Sequence, residues 1–199
     1  MMRALLLSLA ALIPALAAAD ELEAIESRLD RSAVSRGSFE QRKHIAGFDL
    51  PLRSAGSYVY SRELGVLWTL HEPYEVSYRF TPAGNDERGA DGRWQPMAGG
   101  ETGADLVREL TRALLAGDLA LLRRHFEIGA VIDAGGWTLD LVPLDAAWKR
   151  VFATARLAGD RRVRRLSLVE AGGDHTELEL QHIDDAALSD TERAALQRD

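Results

Sequence analysis

The sequence predicts a mainly β protein with helices, in which antiparallel strands form a curved sheet or half-open barrel whose concave side is covered by helices. Three observations carry that expectation. Segments with period-two apolar alternation fall into two groups, one between Gly37 and Phe80 and one between Trp137 and Ile183. A short amphipathic helical pattern precedes the first group, and a longer one separates the two. Strands with one apolar face and helices with one apolar stripe bury both by packing the helices on the sheet.

The chain opens with MMRALLLSLAALIPALAAA, which has one positive charge at Arg3, an apolar run from Ala4 to Leu16 and small residues at 17–19 before Asp20. That order of parts predicts a secretory signal peptide over residues 1–19, cleaved after Ala19. The apolar run is short for a bilayer span and contains Pro14. Residues 20–199 are then expected as one exported domain. The chain has no cysteine, so its fold needs no disulfide, and no thiol is present to ligate a metal, attack a substrate or carry a lipid anchor. Its formal charge of -7 becomes -8 when Arg3 leaves with the leader. That balance argues against nucleic acid and against polybasic docking on an anionic membrane.

After the leader, Leu22, Ile25 and Leu29 recur at helical spacing, with Asp20 as the expected N-cap and Glu23 three residues on. From Gly37 the pattern alternates. Tyr58, Tyr60 and Arg62 share one face, as do Val66, Trp68 and Leu70, and then Val76, Tyr78 and Phe80, with Gly56, Gly65 and Pro73 as punctuation. Residues 81–94, TPAGNDERGADGRW, are expected as a mobile loop or frayed hairpin. Thr102 and Asp105 then stand at capping-box spacing ahead of a stripe made by Leu106, Val107, Leu110, Leu114 and Leu115, with Gly117 as the stop. Asp118 is expected to cap a second short helix running through Arg124. WTLDLVP, VFATARLAGD, VRRLSLVEA and TELELQHI read as strands, and AGGD at 171–174 as a hairpin loop. The polar tail from Asp184 is compatible with a helix or a loose end. A striped helix over a sheet either completes a solid core or covers an apolar cavity, and the pattern leaves both open.

No catalytic residue, metal or cofactor is expected. His44, His71, His125, His175 and His182 show no H-x-H or H-E-x-x-H spacing, and neither a G-x-S-x-G elbow nor a phosphate-binding loop is present. A lipid esterase stays open as a reading, because serine–histidine–aspartate sets assemble from distant positions. Arg161, Arg162, Arg164 and Arg165 form either a docking patch for acidic partners or headgroups, or a solvated hairpin. The loop from Gly84 to Gly92 is either a gate or a solvent loop.

The stretches GSFEQ at 37–41 and SAGSYVYSRELGVLWTLHEPY at 54–74 resemble the LolA family of periplasmic lipoprotein carriers. The matching positions are Phe39, Gln41, Gly56, Arg62, Leu67 with Trp68, and Pro73. Two departures stand out: Glu63 follows the arginine where proline is frequent, and the aspartate–glycine turn is represented only by DGRWQP from Asp91. The resemblance implies a half-open antiparallel β-barrel closed by an α-helical lid, LolA/LolB-like, in the periplasm. It implies a cavity holding the acyl chains of a lipoprotein or other lipidic cargo on the way to the outer membrane. The implied protein is a monomer with transient membrane contact, an inner-membrane donor complex and an outer-membrane acceptor. It further implies that Arg62 sits inside the barrel and bonds lid carbonyls. Phe39, Tyr58, Tyr60, Leu67, Trp68, Tyr78 and Phe80 are the candidate lining residues on strands, with Leu110 and Leu114 from the lid. Ordinary core packing explains each of them equally well. A lipid-sensing or lipid-binding module on the same scaffold is the alternative reading.

Overall fold

In a computed structural model, residues 13–97 and 101–197 are described, with side chains described for 20–97 and 105–197. The chain runs α1 (Ile13–Arg28), β1 (Val34–His44), β2 (Leu52–Ser61), β3 (Gly65–Glu72), β4 (Val76–Thr81), β5 (Gly84–Arg88) and β6 (Trp94–Pro96). It continues through α2 (Glu101–Ala116), α3 (Leu119–His125), β7 (Phe126–Asp133), β8 (Gly136–Pro143), α4 (Ala146–Lys149), β9 (Phe152–Gly159), β10 (Val163–Glu170), β11 (His175–Asp184) and α5 (Asp190–Leu196). The strands form one antiparallel sheet in the order β6-β5-β4-β3-β2-β1-β11-β10-β9-β8-β7. The sheet does not close, because β6 and β7 are its two ends. It is therefore the expected β architecture in an open form.

Period-two alternation decides what faces the helices. On β1, Ser35, Gly37 and Phe39 are buried, and the register sets Phe39 opposite Gly56 on one side and Leu180 on the other. Tyr58, Trp68 and Tyr78 lie side by side across three strands, as do Tyr60, Val66 and Phe80. Beyond the β1–β11 seam the same face carries Leu178, Leu166, Leu157 and Leu139.

Two glycines permit the aromatic layer. A Cβ on Gly56 would come within 2.7 Å of the Phe39 ring and 2.0 Å of the Thr69 carbonyl oxygen, and one on Gly37 within 2.5 Å of the Tyr58 ring. Each ring lies across the bare backbone opposite it, so Phe39 can stack on Trp68 with centroids 4.0 Å apart.

Helices α1 to α4 cover one face, and α5 packs on the other, against β3 and β4. Leu22, Ile25 and Leu29 of α1 are buried and α1 packs on β7, while Leu119 and Leu122 of α3 and Trp148 of α4 join the same core. Trp148 lies between Phe126 and Phe152, at centroid distances of 5.0 and 5.5 Å. α2 lies over β2, β3 and β5. Gly117 ends it with φ 62°, as the sequence predicts, and the Asp118 carboxylate accepts from the Leu121 amide at 2.9 Å to start α3.

Four expectations change. α1 begins at Ile13, so Asp20 is an interior helical residue and not an N-cap; the alanine- and leucine-rich residues before it are strong helix formers. The Thr102 cap falls on a side chain outside the described set, and α2 is already helical at Glu101. The segment 81–94 is a strand meander, with β5 paired to β4 and β6. Arg79 Nε donates to Asp86 at 2.7 Å, and the Trp94 ring sits beneath the guanidiniums of Arg79 and Arg88 at 4.5 and 4.8 Å. Lastly, of the arginines at 161–165, Arg162 is drawn into the fold, whereas Arg161, Arg164 and Arg165 are exposed as in the solvated-hairpin reading. Arg162 bridges Asp30 at 2.5 Å and Asp185 at 2.6 Å, and Arg164 pairs with Asp160 at 3.2 Å.

The polar tail is helical because Arg36 holds it. Arg36 donates to both carboxylate oxygens of Glu192 at 2.6 Å, to Asp184 at 2.9 Å, and to the carbonyls of Ala186 and Ala187. Ser189 and Glu192 complete a capping box, and Arg79 donates to the carbonyls of Ala195 and Gln197 at the other end of α5. The bond from Arg36 lowers the Glu192 carboxyl from 4.5 to about 2. A depressed carboxyl contributes stability above its unfolded value and loses it as pH falls through its folded value, so this contribution fades between pH 4.5 and about 2.

Glu192→Gln is expected to cost about 2 kcal/mol at pH 7 and to flatten the loss of stability in that acid window, as read from urea midpoints along a pH series. Gly56→Ala is expected to cost about 1–3 kcal/mol by the same measurement, because either Phe39 or β3 must move.

Candidate functional site

α2 has two unlike faces, and a separate space lies beneath each. Leu110, Leu114 and Leu115 of α2 look onto the sheet across a hollow of about 470 Å³. The sheet contributes Trp68, Leu70, Tyr78 and Phe80 from β3 and β4, and Leu166, Leu168, Leu178 and Leu180 from β10 and β11. Met97, Val151 and Phe152 complete the apolar wall. Gln41, Thr111, Glu170 and Thr176 are the polar aliphatic members of the lining, and Glu170 is already held by Lys43 Nζ at 2.7 Å. Burial pushes the phenols of Tyr58 and Tyr78 above the ordinary value, so both stay neutral at pH 7. A cavity of this size and lining suits an apolar ligand.

The hollow exists because the helices share the sheet unevenly. α1, α3 and α4 pack directly on the strands from β7 to β9, where Leu139, Leu141 and Leu157 are fully buried. Over the middle of the sheet α2 alone provides the cover; Leu115 packs against the Tyr60, Val66 and Phe80 cluster, and the space lies beside that contact, between α2 and the β3–β4 and β10–β11 strands. The protein is therefore solid at one side and hollow at the other.

The residues singled out in the sequence separate into four positions. Trp68, Tyr78, Phe80, Leu110 and Leu114 line the hollow. Phe39, Tyr58 and Tyr60 lie on the same face but are packed side chains, 2–4% exposed, with Phe39 and Tyr58 stacked on Trp68. Leu67 lies on the opposite face, since it pairs with Val59 and Arg79, and Arg79 binds α5 there. Arg62 is exposed just beyond β2. Its guanidinium donates to the Arg31 carbonyl in the link between α1 and β1, not to α2, and its amide donates to the Ala33 carbonyl at 2.9 Å.

Sequence reading missed the β10–β11 wall as lining. Its leucines alternate plainly, but nothing local shows that β11 pairs with β1 and so brings them opposite Trp68. Serine–histidine contacts also occur. Ser57 bonds His71 at 3.0 Å, Ser167 bonds His175 at 3.2 Å and Ser35 lies 3.4 Å from His182. None of these serines lines the hollow. Ser57 and Ser167 alternate with inward residues and face outward, and the Ser35 hydroxyl accepts from Arg162 at 3.0 Å.

No helix among the described residues is long and apolar enough to cross a membrane. Comparison with solved structures finds similar folds at low identity. A LolA superfamily protein from Nitrosomonas europaea superposes with a TM-score of 0.50 at 11% identity, covering 87% of this chain and 96% of that one. A DUF1329 family protein from Desulfovibrio piger does so with a TM-score of 0.50 at 13% identity, covering 92% and 99%. No curated protein matches. The family model for the LolA-like outer membrane lipoprotein carrier protein matches residues 14–198. An open sheet with four helices over one face, and an apolar hollow under one of them, is the form that match takes here, and the chain belongs to the LolA-like outer membrane lipoprotein carrier family.

Proposed function

We propose that the protein is an exported carrier which takes up the acyl chains of a lipoprotein, or of a related lipidic cargo, in the hollow under α2. The observation that carries this reading is the hollow itself: about 470 Å³, walled by leucines and aromatics from both halves of the sheet and roofed by one helix. Membership of the carrier family supports the same reading.

The energetics suit a shuttle. Burying a methylene yields about 0.8 kcal/mol, so a sixteen-carbon chain gains on the order of 12 kcal/mol on leaving water. A bilayer offers a similar gain, so loading and unloading lie near balance. Small differences in fit or in the cost of moving α2 then set the direction of transfer. Trp68, Tyr78, Phe80, Leu110 and Leu114 act as lining. Phe39, Tyr58 and Tyr60 hold Trp68 in place from behind. Arg62 acts from the side of the link after α1, close to the C-terminal end of α2. The working location is the periplasm, after removal of residues 1–19, with a donor at the inner membrane and an acceptor at the outer membrane.

A fluorescent fatty acid is expected to bind the purified protein at micromolar concentration or tighter. Trp68→Asp and Leu115→Asp are each expected to weaken it at least tenfold, about 1.4 kcal/mol, while Leu67→Ser, on the opposite face, stays within about twofold. A probe that ignores the wild-type protein, or variants that all bind alike, overturns the reading. Mass spectrometry of ligand retained from the periplasm, followed by transfer of that ligand between donor and acceptor vesicles, separates a carrier from a module that binds without handing on.

A further inference from the structure

The other face of α2 borders a second space. Between the C-terminal end of α1, α2 and α3 lies a cleft of about 670 Å³ lined by five arginines: Arg31, Arg62, Arg108, Arg112 and Arg124. Glu26, Glu109 and Asp118 are the carboxylates in its wall. In a chain of formal charge -7, five guanidiniums around one cleft run against the overall balance.

The carboxylates do not satisfy this charge. Glu26 is held by Arg31 at 3.1 Å and by Arg123, which lies outside the cleft, at 3.2 Å. Asp118 accepts from the Leu121 amide at 2.9 Å, and Glu109 lies 3.8 Å from His125. Of the arginines, Arg31 takes Glu26, Arg108 takes Asp105 at 3.0 Å, and Arg62 takes the Arg31 carbonyl. Among the described residues, Arg112 and Arg124 have no carboxylate partner. Moreover, the Nε of Arg112 is buried without a protein acceptor. A buried donor on a charged group that bonds nothing is costly, and a negative charge beside the same guanidinium offsets part of that cost.

We propose that this cleft is a binding site for a phosphate-type oxyanion, held between Arg112 of α2 and Arg124 of α3 with Arg108 and Arg62 at its margins. Guanidinium forks match phosphate oxygens in pairs, and a phosphate carries close to two negative charges against the two arginines without ion-pair partners. The cleft is larger than a bare ion, so a phosphate ester or the phosphate of a lipid headgroup fits the same chemistry. Because α2 roofs the hollow with its opposite face, an anion here ties the roof to α3 and to the end of β2. The proposal does not depend on the acyl-chain reading, since the two spaces share no apolar wall.

The test uses the purified full chain in phosphate-free buffer at low ionic strength. Calorimetric titrations with glycerol 3-phosphate are run beside sedimentation with phosphatidylcholine vesicles containing or lacking phosphatidic acid. Saturable binding of either phosphate source is expected, weakened at least tenfold in Arg112→Gln and in Arg124→Gln. Arg124 is exposed, so its variant keeps the wild-type melting temperature. Arg164→Gln, which alters an arginine paired with Asp160 elsewhere, is expected to bind as wild type. Response to the soluble ester identifies a free phosphate ester as a source, and response only to phosphatidic acid identifies a lipid headgroup. No saturable response to either overturns the site, as does a response that survives both cleft substitutions or one that Arg164→Gln weakens equally.

Discussion

The pairing of β1 with β11 is the constraint on which the rest of the structure depends. Every other neighbouring pair in the sheet joins strands consecutive in sequence, whereas this seam brings together positions such as Arg36 and His182, 146 residues apart. Closing so long a loop has an entropic cost that local pairing does not repay. The repayment comes across the seam, where Phe39 lies beside Leu180 and Gln41 beside Leu178. Ion pairs secure both ends: Arg36 with Glu192 at one, and Lys43 with Glu170 and Asp174 at the other. Without the seam there are two strand stacks, each with a bare apolar face. With it, Trp68 and Tyr78 from one stack and Leu166 and Leu178 from the other become walls of a single hollow.

What the sequence revealed follows from the range of the interactions involved. The strands from Trp137 onward were legible because alternation and turns are local, and α2 and α3 because a stripe, a stop glycine and a capping aspartate lie within a few residues of each other. β7 was not legible, since it follows α3 without a breaker and Gly129 interrupts its alternation. The meander of β5 and β6 looked like a charged loop because the partners of its charges, Arg79 above all, lie on the preceding strand. α5 depends on Arg36, far away in the chain. The motif that points to the family also misled at one point, since adjacent residues on a strand face opposite ways and Leu67 cannot accompany Trp68 into the hollow. Arg62 lies at the motif position, yet its acceptor is in the link after α1, which strand-level reasoning does not reach.

The uneven cover of the sheet explains why solid and hollow regions coexist in one domain. Where α1, α3 and α4 lie on the strands, large side chains interlock and Ile25, Leu139 and Leu157 are fully enclosed. Where α2 is the only roof, the rings of Tyr58 and Phe39 are laid over Gly37 and Gly56, and a hollow is left between the helix and the sheet. A helix in that position is held by contacts on both of its faces. Any ligand on either side changes what holds it, without a change in the sheet.

The unpaired ends of the sheet have a further geometric implication. A wall whose terminal strands, β6 and β7, never meet is open along its sides, where a closed cylinder would be open only at its ends. For the cargo proposed above, a greasy tail joined to a bulky folded body, an open wall allows entry from the side with the body left outside. Nothing need be threaded, and the size of the passenger is not limited by the diameter of the container.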